Sequence, residues 1–274
     1  LDKIEEKILV LVNLKLKRKI NFINIDLSEE IIKFKDKKKF DIVIHLASTT
    51  NAEASVKNKK KVFKNNLGCF KNVLNFCLKN KIKLIHLSST SVYGSQDLFV
   101  DEDCKELLPQ SPYAEVKIIE EKILKKTNKN FKFVTLRLGT IVGPSSGMRF
   151  HTAVNKFCMQ SYLNQPLDVW KTAYNQFRPY LSIRDSFKVF NFFIENKIFD
   201  REVYNVVSEN LTVKNIVDRI KKFNKTKIRL VNSKIMNQLS YKVNTAKVNK
   251  IGLKTKSTLI DDINNTFKLL NKKL

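Results

Sequence analysis

Short apolar runs alternate with helical patterns along the first half of the chain. Four apolar runs have the length of buried strands: KILVLV (7–12), FDIVIHLAS (40–48), IKLIHLSS (82–89) and FKFVTLRL (131–138). Helical patterns follow two of them, over residues 62–80 and 113–128. Strands and helices in alternation predict βαβ units. The sequence therefore predicts an α/β fold, with a Rossmann-like, doubly wound parallel sheet.

The order of elements is looser in the second half of the chain. Residues 147–180 have the character of a separate lobe, and the pattern then predicts three further elements: a strand over 202–208 and helices over 213–223 and 257–272. We expect a Rossmann-like, cofactor-binding domain over 1–144, to which 183–208 returns. The remainder of 145–274 is expected to form mainly a smaller, substrate-binding lobe.

Length and composition fit a folded protein. The 274 residues, 43% of them hydrophobic, can bury a sizeable core. No continuous apolar segment approaches the roughly 20 residues that cross a bilayer, and the N-terminus has no signal-peptide order, so we expect a cytoplasmic protein without a membrane span. No CxxC motif is present, so no metal site is predicted and reduced thiols are expected at Cys69, Cys77, Cys104 and Cys158.

The chain is strongly basic, with 52 Lys and Arg residues against 26 Asp and Glu residues and a formal net charge of +26. Such a charge raises the question of nucleic-acid binding, because clustered Lys and Arg neutralise phosphates. The basic residues are mostly Lys and are spread along the whole chain, which is typical of a solvated surface. We expect no specific nucleic-acid binding, only weak adhesion at low salt.

Hydroxyl groups gather where one predicted strand ends, in HLSSTSVYG (86–94). In doubly wound sheets, ligands bind at the carboxyl ends of the strands. The next predicted helix carries Tyr113 and Lys117 one turn apart on one face. An ammonium beside a phenol lowers the phenol's pKa from about 10, which would make Tyr113 a usable proton acceptor. By itself this spacing also fits a tyrosine that packs on a lysine stem.

Six motifs occur in order and at familiar spacing: FDIVIHLAS (40–48), NNLG (65–68), SSTSVYG (88–94), SPYAEVK (111–117), LRLGTIVGP (136–144) and FRPYLSIRD (177–185). Together they resemble the extended short-chain dehydrogenase/reductase family. Within it, the chain is similar to the NAD-dependent epimerase/dehydratase group, which acts on nucleotide sugars. The resemblance covers nearly the whole chain.

The resemblance implies roles for individual residues. Tyr113 would be the catalytic acid/base, Lys117 would tune it and hold a cofactor ribose, and Ser89 would hydrogen-bond the reacting sugar oxygen. The implied cofactor-binding residues are Asp26, Leu46, Ala47, Asn65 and Lys117. The implied substrate-binding residues are Ser89, Thr90, Thr140, Arg149, His151 and Arg178.

Some of these residues also have a structural interpretation. Asp26 could cap the next helix, and Asn65 could brace a loop. Arg178 matches the family's diphosphate contact, which suits a bidentate guanidinium. His45 and His86 are expected to be structural.

At two places the chain departs from the family's pattern, which bears on the activity and on one substrate contact that the resemblance implies. Thr90 and Ser91 stand where the dehydratase branch has an Asp-Glu pair, and neither hydroxyl can replace a carboxylic acid and its base. Thr140 replaces the asparagine of the family's turn. We therefore expect a nucleotide-sugar epimerase or reductase in surface-polysaccharide synthesis, rather than a 4,6-dehydratase. The family also implies a homodimer that pairs through the two long predicted helices.

The largest departure is the Gly-rich turn that receives the pyrophosphate of a dinucleotide. The first of the six glycines is Gly68, and KILVLVNL (7–14) resembles the family's second strand. We expect the first strand, turn and helix to be missing ahead of Leu1. Val12 stands where an acidic residue often binds the ribose, so NAD is expected and NADP stays open. The alternative is an inactive fragment that binds a nucleotide sugar or a protein partner without cofactor.

Overall fold

The computed structural model describes residues 24–32, 40–96, 99–145, 147–150, 152–232 and 240–273. The strand predicted over 7–12, with Val12, and the predicted substrate residue His151 lie outside the described residues.

A four-stranded parallel sheet forms the centre of the first half of the chain. Its strands are β1 (Ile42–His45), β2 (Lys83–Ser89), β4 (Phe133–Leu138) and β8 (Val203–Val206), in the order β1-β2-β4-β8. All residues of β4 and β8 are buried, because helices cover both faces of a doubly wound sheet. The parallel α/β sheet is confirmed, and so are the strands predicted at its four positions.

Three helices lie between β1 and β4 along the chain: α1 (Ala52–Lys57), α2 (Lys59–Asn80) and α3 (Pro112–Lys125). The two long helices pack on the sheet and bury Phe70, Val73 and Leu124 against Leu84 of β2. At its start, α3 has the Ser111 hydroxyl, which accepts a hydrogen bond from the Ala114 N–H at 3.2 Å, and Pro112 in the first helical position. Tyr113 consequently lies in the first turn of α3.

The rest of the described chain adds twelve elements: β3 (Phe99–Val100), β5 (Thr140–Val142), α4 (Ala153–Tyr162), β6 (Leu167–Trp170), β7 (Phe177–Ser182), α5 (Ile183–Glu195), β9 (Glu209–Thr212), α6 (Val213–Lys221), β10 (Ile228–Val231), β11 (Lys242–Val243), α7 (Ala246–Lys250) and α8 (Leu259–Lys273). The strands form three small sheets, ordered β5-β7-β9, β6-β10 and β3-β11. A second apolar core lies among α4, α6 and α8, and includes Phe157, Ile216 and Ile263. The strand and helices predicted after residue 200 are confirmed.

The segment 183–208 supplies a helix that packs on the main sheet and a strand that joins it. Val189 and Phe193 of α5 pack against Leu136 of β4, and β8 pairs with β4 in parallel. The domain boundary near residue 144 stays a prediction. Across the described ranges, no helix combines the length and apolar character that crossing a membrane requires.

Candidate active site

The structure brings the three predicted catalytic residues together at the carboxyl end of β2. Ser89 is the last residue of that strand, and its Oγ accepts hydrogen bonds from the Ser91 N–H at 3.2 Å and the Ser91 hydroxyl at 2.9 Å. A hydrogen bond also joins Ser89 to Tyr113. Lys117 Nζ lies 5.8 Å from the centre of the Tyr113 ring, so the ammonium lies beside the phenol.

The pKa of Tyr113 differs from the sequence-based expectation. Burial raises the pKa of Tyr113 above its usual range, and Glu120 adds to this effect. Lys117, the hydrogen bond with Ser89, and Arg149 lower it, but together they do not outweigh burial. The expected lowering by Lys117 is therefore wrong for the net pKa of Tyr113 in this structure, because spacing along a helix does not reveal how far the phenol is desolvated.

The buried carboxylate of Glu120 pairs with Lys117. Lys117 Nζ donates to Glu120 Oε2 at 2.8 Å, and His86 Nε2 lies 2.9 Å from the same oxygen. The Lys117 side chain is 3% exposed, and those of His86 and Glu120 are 0% exposed. Burial alone would raise the pKa of Glu120, yet the contacts with His86 and Lys117 leave it below its usual range.

The cofactor-side residues line a cleft beyond β1 with a volume of about 480 Å³. Its lining residues are Asn24, Ile25, Asp26, Leu27, Ala47, Ser48, Thr49, Asn65 and Cys69. Three of the predicted cofactor residues are among them, whereas Leu46 points away from the core and is 65% exposed. Ser48 Oγ and Thr50 Oγ1 are buried without a partner in the described part of the chain. Such unpaired hydroxyls fit a polar ligand such as an adenosine ribose.

Asp26 and Asn65 also make the local contacts that a structural role requires. Asp26 Oδ1 accepts from the Ser28 N–H at 2.8 Å and the Ser28 hydroxyl at 2.7 Å, which closes a turn. Asn65 Nδ2 donates to Thr49 Oγ1 at 3.2 Å. A Cβ on Gly68 would come within 2.5 Å of the Ser28 carbonyl oxygen, so α2 needs glycine to approach this turn. These contacts shape the cleft.

The predicted substrate residues differ in how free they are to bind a ligand. The Thr90 hydroxyl is buried, donates to the Leu138 carbonyl at 3.3 Å and accepts from Tyr241 Oη at 3.3 Å. Thr140 is exposed at the start of β5. Arg149 lies close enough to Tyr113 to lower the pKa of the phenol electrostatically.

Arg178 lies on β7 and is held by neighbouring groups. Its guanidinium donates to the Phe177 carbonyl at 3.1 Å and to Gln176 Oε1 at 2.9 Å. Burial lowers the pKa of Arg178, while Tyr180 and Tyr241 raise it. A partly desolvated guanidinium binds phosphate oxygens more strongly than one in open solvent.

The sequence assigns no role to three residues at the site, although one of them, Asn66, lies inside the NNLG motif. Asn66 is buried and accepts from the Thr49 N–H at 2.8 Å while donating to the Thr49 carbonyl at 3.1 Å, so it fixes the loop after β1. Tyr241 directly precedes β11, far along the chain, and contacts Thr90. In the sequence, Glu120 is visible only as an acidic residue three positions after Lys117, on the same face of the helix.

Comparisons with known proteins identify the family to which the chain is similar. The family model described as the NAD dependent epimerase/dehydratase family matches residues 3–206. An ADP-L-glycero-D-manno-heptose-6-epimerase of Brachyspira hyodysenteriae is 30% identical over 60% of this chain and 52% of its own length. A dTDP-D-glucose 4,6-dehydratase of Dictyostelium discoideum is 29% identical over 68% of this chain and 44% of its own length. The chain thus spans about half the length of these curated relatives.

A solved structure gives the same fold. The UDP-glucuronic acid 4-epimerase of Bacillus cereus, in complex with UDP-glucuronic acid and NAD, has a TM-score of 0.77 and 24% identity, and the match covers 85% of this chain and 76% of that one. At this identity the likeness concerns the fold. The family model covers well over half of the chain, and the chain therefore belongs to the NAD dependent epimerase/dehydratase family.

Proposed function

We propose that this protein is a cytoplasmic, NAD-dependent epimerase or reductase of nucleotide-linked sugars, which serves surface-polysaccharide synthesis. The observation that carries the proposal is the meeting of Tyr113, Ser89 and Lys117 at the carboxyl end of β2. Membership of the family supports the substrate class, and the phenol, hydroxyl and ammonium form a set suited to moving one proton at a sugar hydroxyl.

In the proposed reaction, Tyr113 removes the proton from a sugar hydroxyl while Ser89 hydrogen-bonds the same oxygen. A bound nicotinamide cofactor supplies the acceptor for the hydride that leaves the adjacent carbon. The product of this half-reaction is a ketosugar. Return of the hydride to the opposite face of the sugar, with return of the proton from Tyr113, completes an epimerisation. A reductase would instead start from a ketosugar, to which the reduced cofactor would supply the hydride at the carbonyl carbon while Tyr113 would give a proton to the carbonyl oxygen.

The cofactor residues in this proposal are those of the cleft beyond β1. Asp26, Ala47 and Asn65 would lie along the adenosine half, and Ser48 of the same cleft offers a buried hydroxyl that lacks a partner among the described residues. Lys117 retains two N–H donors beyond the one used by Glu120, since an ammonium has three. No other hydrogen bond uses these two donors within the described part of the chain, so they would be available to ribose hydroxyls.

Epimerisation or reduction is favoured over dehydration because the strand end lacks an acid and base. The Thr90 hydroxyl is committed to Leu138 and Tyr241, and the Ser91 hydroxyl donates to Ser89. Neither group has a pKa in the range of a carboxylic acid. Loss of a sugar hydroxyl as water would require such an acid.

Replacing Tyr113 with Phe tests the proposal. The variant is expected to lose at least about 100-fold in turnover of a UDP-hexose with NAD, because the proton acceptor is gone, while binding the nucleotide sugar as before. Turnover is followed by chromatography of the epimeric sugars and binding by calorimetry. Tyr162→Phe, which removes a phenolic hydroxyl from α4, is the matched control and keeps full turnover. Unchanged turnover in Tyr113→Phe would contradict the assignment.

Separate titrations with NAD and with UDP-hexoses decide between the enzyme and the cofactor-less alternative. Binding of both supports the enzyme, whereas binding of the sugar nucleotide without NAD supports an inactive binding fragment. The homodimer stays part of the proposal and is tested by light scattering.

A further inference from the structure

The ionisable groups beneath Tyr113 form a chain of contacts that runs from α3 into the sheet. Lys117 and Glu120 come from α3, and His86 comes from β2. Glu120 Oε2 lies 2.8 Å from Lys117 Nζ and 2.9 Å from His86 Nε2. His45 of β1 stacks on His86, with ring centres 6.4 Å apart. The Glu120 carboxylate therefore links α3 to β2, and the stacking of His45 on His86 adds β1 to the cluster.

Glu120 carries its negative charge in this cluster. Its pKa lies below the usual range despite burial. A carboxylate only accepts hydrogen bonds, so the His86 nitrogen that faces it must carry a proton. Glu120 Oε1 has no partner among the described residues, so its contacts converge on the single oxygen shared by Lys117 and His86.

This arrangement limits what Lys117 can do to Tyr113. The Lys117 ammonium is paired with a full negative charge at contact distance, in a region with almost no exposure to solvent. A buried ion pair acts on a third group with the difference of two nearly equal effects. Lys117 lowers and Glu120 raises the pKa of the same phenol, in line with this cancellation.

We propose that Glu120 is a positioning residue, which fixes the Lys117 ammonium beneath Tyr113 and offsets its charge, while His86 holds the carboxylate from the sheet side. The inference rests on the proposed function, in which Lys117 and Tyr113 handle the proton and the ribose. In the protein without ligands, burial favours the protonated phenol of Tyr113, and the Glu120 carboxylate adds to this effect. The same carboxylate also leaves two Lys117 donors directed to other partners.

Other charged and polar groups face this cluster as well. Ser89 of β2 and Arg149 of the 147–150 segment act on Tyr113, and both favour the phenolate. The charges of His86, Lys117 and Glu120 all act on the pKa of His45. A substitution at Glu120 leaves the side chains of Ser89 and Arg149 unchanged, whereas the contacts of Lys117, His86 and His45 are part of the cluster that the substitution tests.

Glu120→Gln tests the inference in the protein without cofactor or substrate. The ionisation of Tyr113 is measured as the ultraviolet difference absorbance between each protein and the same protein carrying Tyr113→Phe, over a pH titration. Removing one negative charge close to the phenol is expected to lower the midpoint by about one pH unit, at an effective dielectric constant of about 20. A carboxylate that only supports packing would change stability and leave this midpoint in place.

Glu115→Gln is the matched control. Glu115 lies two residues from Tyr113 on the same helix and pairs with Lys59 at 2.8 Å on the surface. Its loss removes one charge without touching Lys117, and solvent screening keeps the Tyr113 midpoint within a few tenths of a pH unit.

Two outcomes would overturn the inference: a midpoint that does not move in folded Glu120→Gln, or one that moves equally in Glu115→Gln. If Glu120→Gln does not fold, Glu120→Asp decides, because it withdraws the carboxylate from Lys117 and should lower the midpoint by a smaller amount. A folded Glu120→Asp protein with an unchanged midpoint counts against the inference. The titration needs no turnover, so absence of activity bears on the proposed function and leaves this result standing.

Discussion

At the scale of single residues, burial decides the chemistry of His45. The side chain is 3% exposed, and neither ring nitrogen has a hydrogen-bond partner within the described ranges. Burial, with smaller contributions from His86 and Lys117, lowers the pKa of His45 from 6.5 to about 4. The imidazole is therefore neutral in the folded protein at neutral pH.

This pKa predicts a loss of stability in mild acid. The unfolded chain binds a proton at His45 below about pH 6.5, while the folded protein resists protonation down to about pH 4, so stability falls as the pH falls through this window. The full effect is about 3 kcal/mol in the free energy of unfolding. Urea denaturation at several pH values between these limits measures it. His45→Leu should flatten the curve, and an unchanged slope in that variant would contradict the prediction.

The sequence predicts which residues meet at the site better than it predicts their ionisation. Tyr113 and Lys117 lie one turn apart on any helix, and the hydroxyls of a strand end lie at the edge where ligands bind, so their meeting follows from local geometry. The partnership of Glu120 with His86 depends on how α3 docks on β2, across 34 positions of sequence. The raised pKa of Tyr113 follows from tertiary burial in the same way.

At the scale of elements, the start of α3 fixes where Tyr113 lies. Ser111 is buried and accepts the Ala114 N–H, and Pro112 supplies a backbone already set for the first helical turn. Without the Ser111 hydroxyl, the first turn would lose a bond to a donor that water cannot easily reach. The geometry of the candidate site thus depends on a helix cap.

Ser111→Ala is therefore expected to lower the free energy of unfolding by about 1 kcal/mol, and Ser111→Gly by only a few tenths. Urea denaturation at neutral pH compares the two variants with the parent protein. Ser111→Thr, which keeps the hydroxyl, serves as the control and should recover most of the loss. Equal stability of the Ala and parent proteins would show that the cap contributes nothing.

The elements that the sequence predicts are those with a clear period. The four strands of the main sheet and the long helices α2, α3 and α8 have enough residues to show one. The strands β3 and β11 have two residues each, and β5 has three, so no alternation can emerge. Each forms only because a distant segment lies alongside it, as β11 does beside β3. Such pairings are properties of the assembled fold.

At the scale of the whole molecule, the net charge of +26 opposes compaction. Exposed lysines on α2, such as Lys60, Lys61 and Lys71, add to this repulsion. Salt screens it, since the Debye length falls from about 30 Å at 10 mM to about 8 Å at 150 mM ionic strength. The exposed ion pairs that salt also weakens contribute little to stability.

The free energy of unfolding is therefore expected to rise between about 10 mM and 150 mM NaCl, measured as the urea midpoint at neutral pH. Replacing Lys60, Lys61 and Lys71 together with Gln removes three charges while keeping a similar helix propensity. This variant should be more stable than the parent at low salt, and its midpoint should change less as salt is added. A urea midpoint of the parent protein that falls as salt is added would contradict this prediction. It would mean that attractive ion pairs outweigh the net repulsion, so that the basic surface stabilises the folded state.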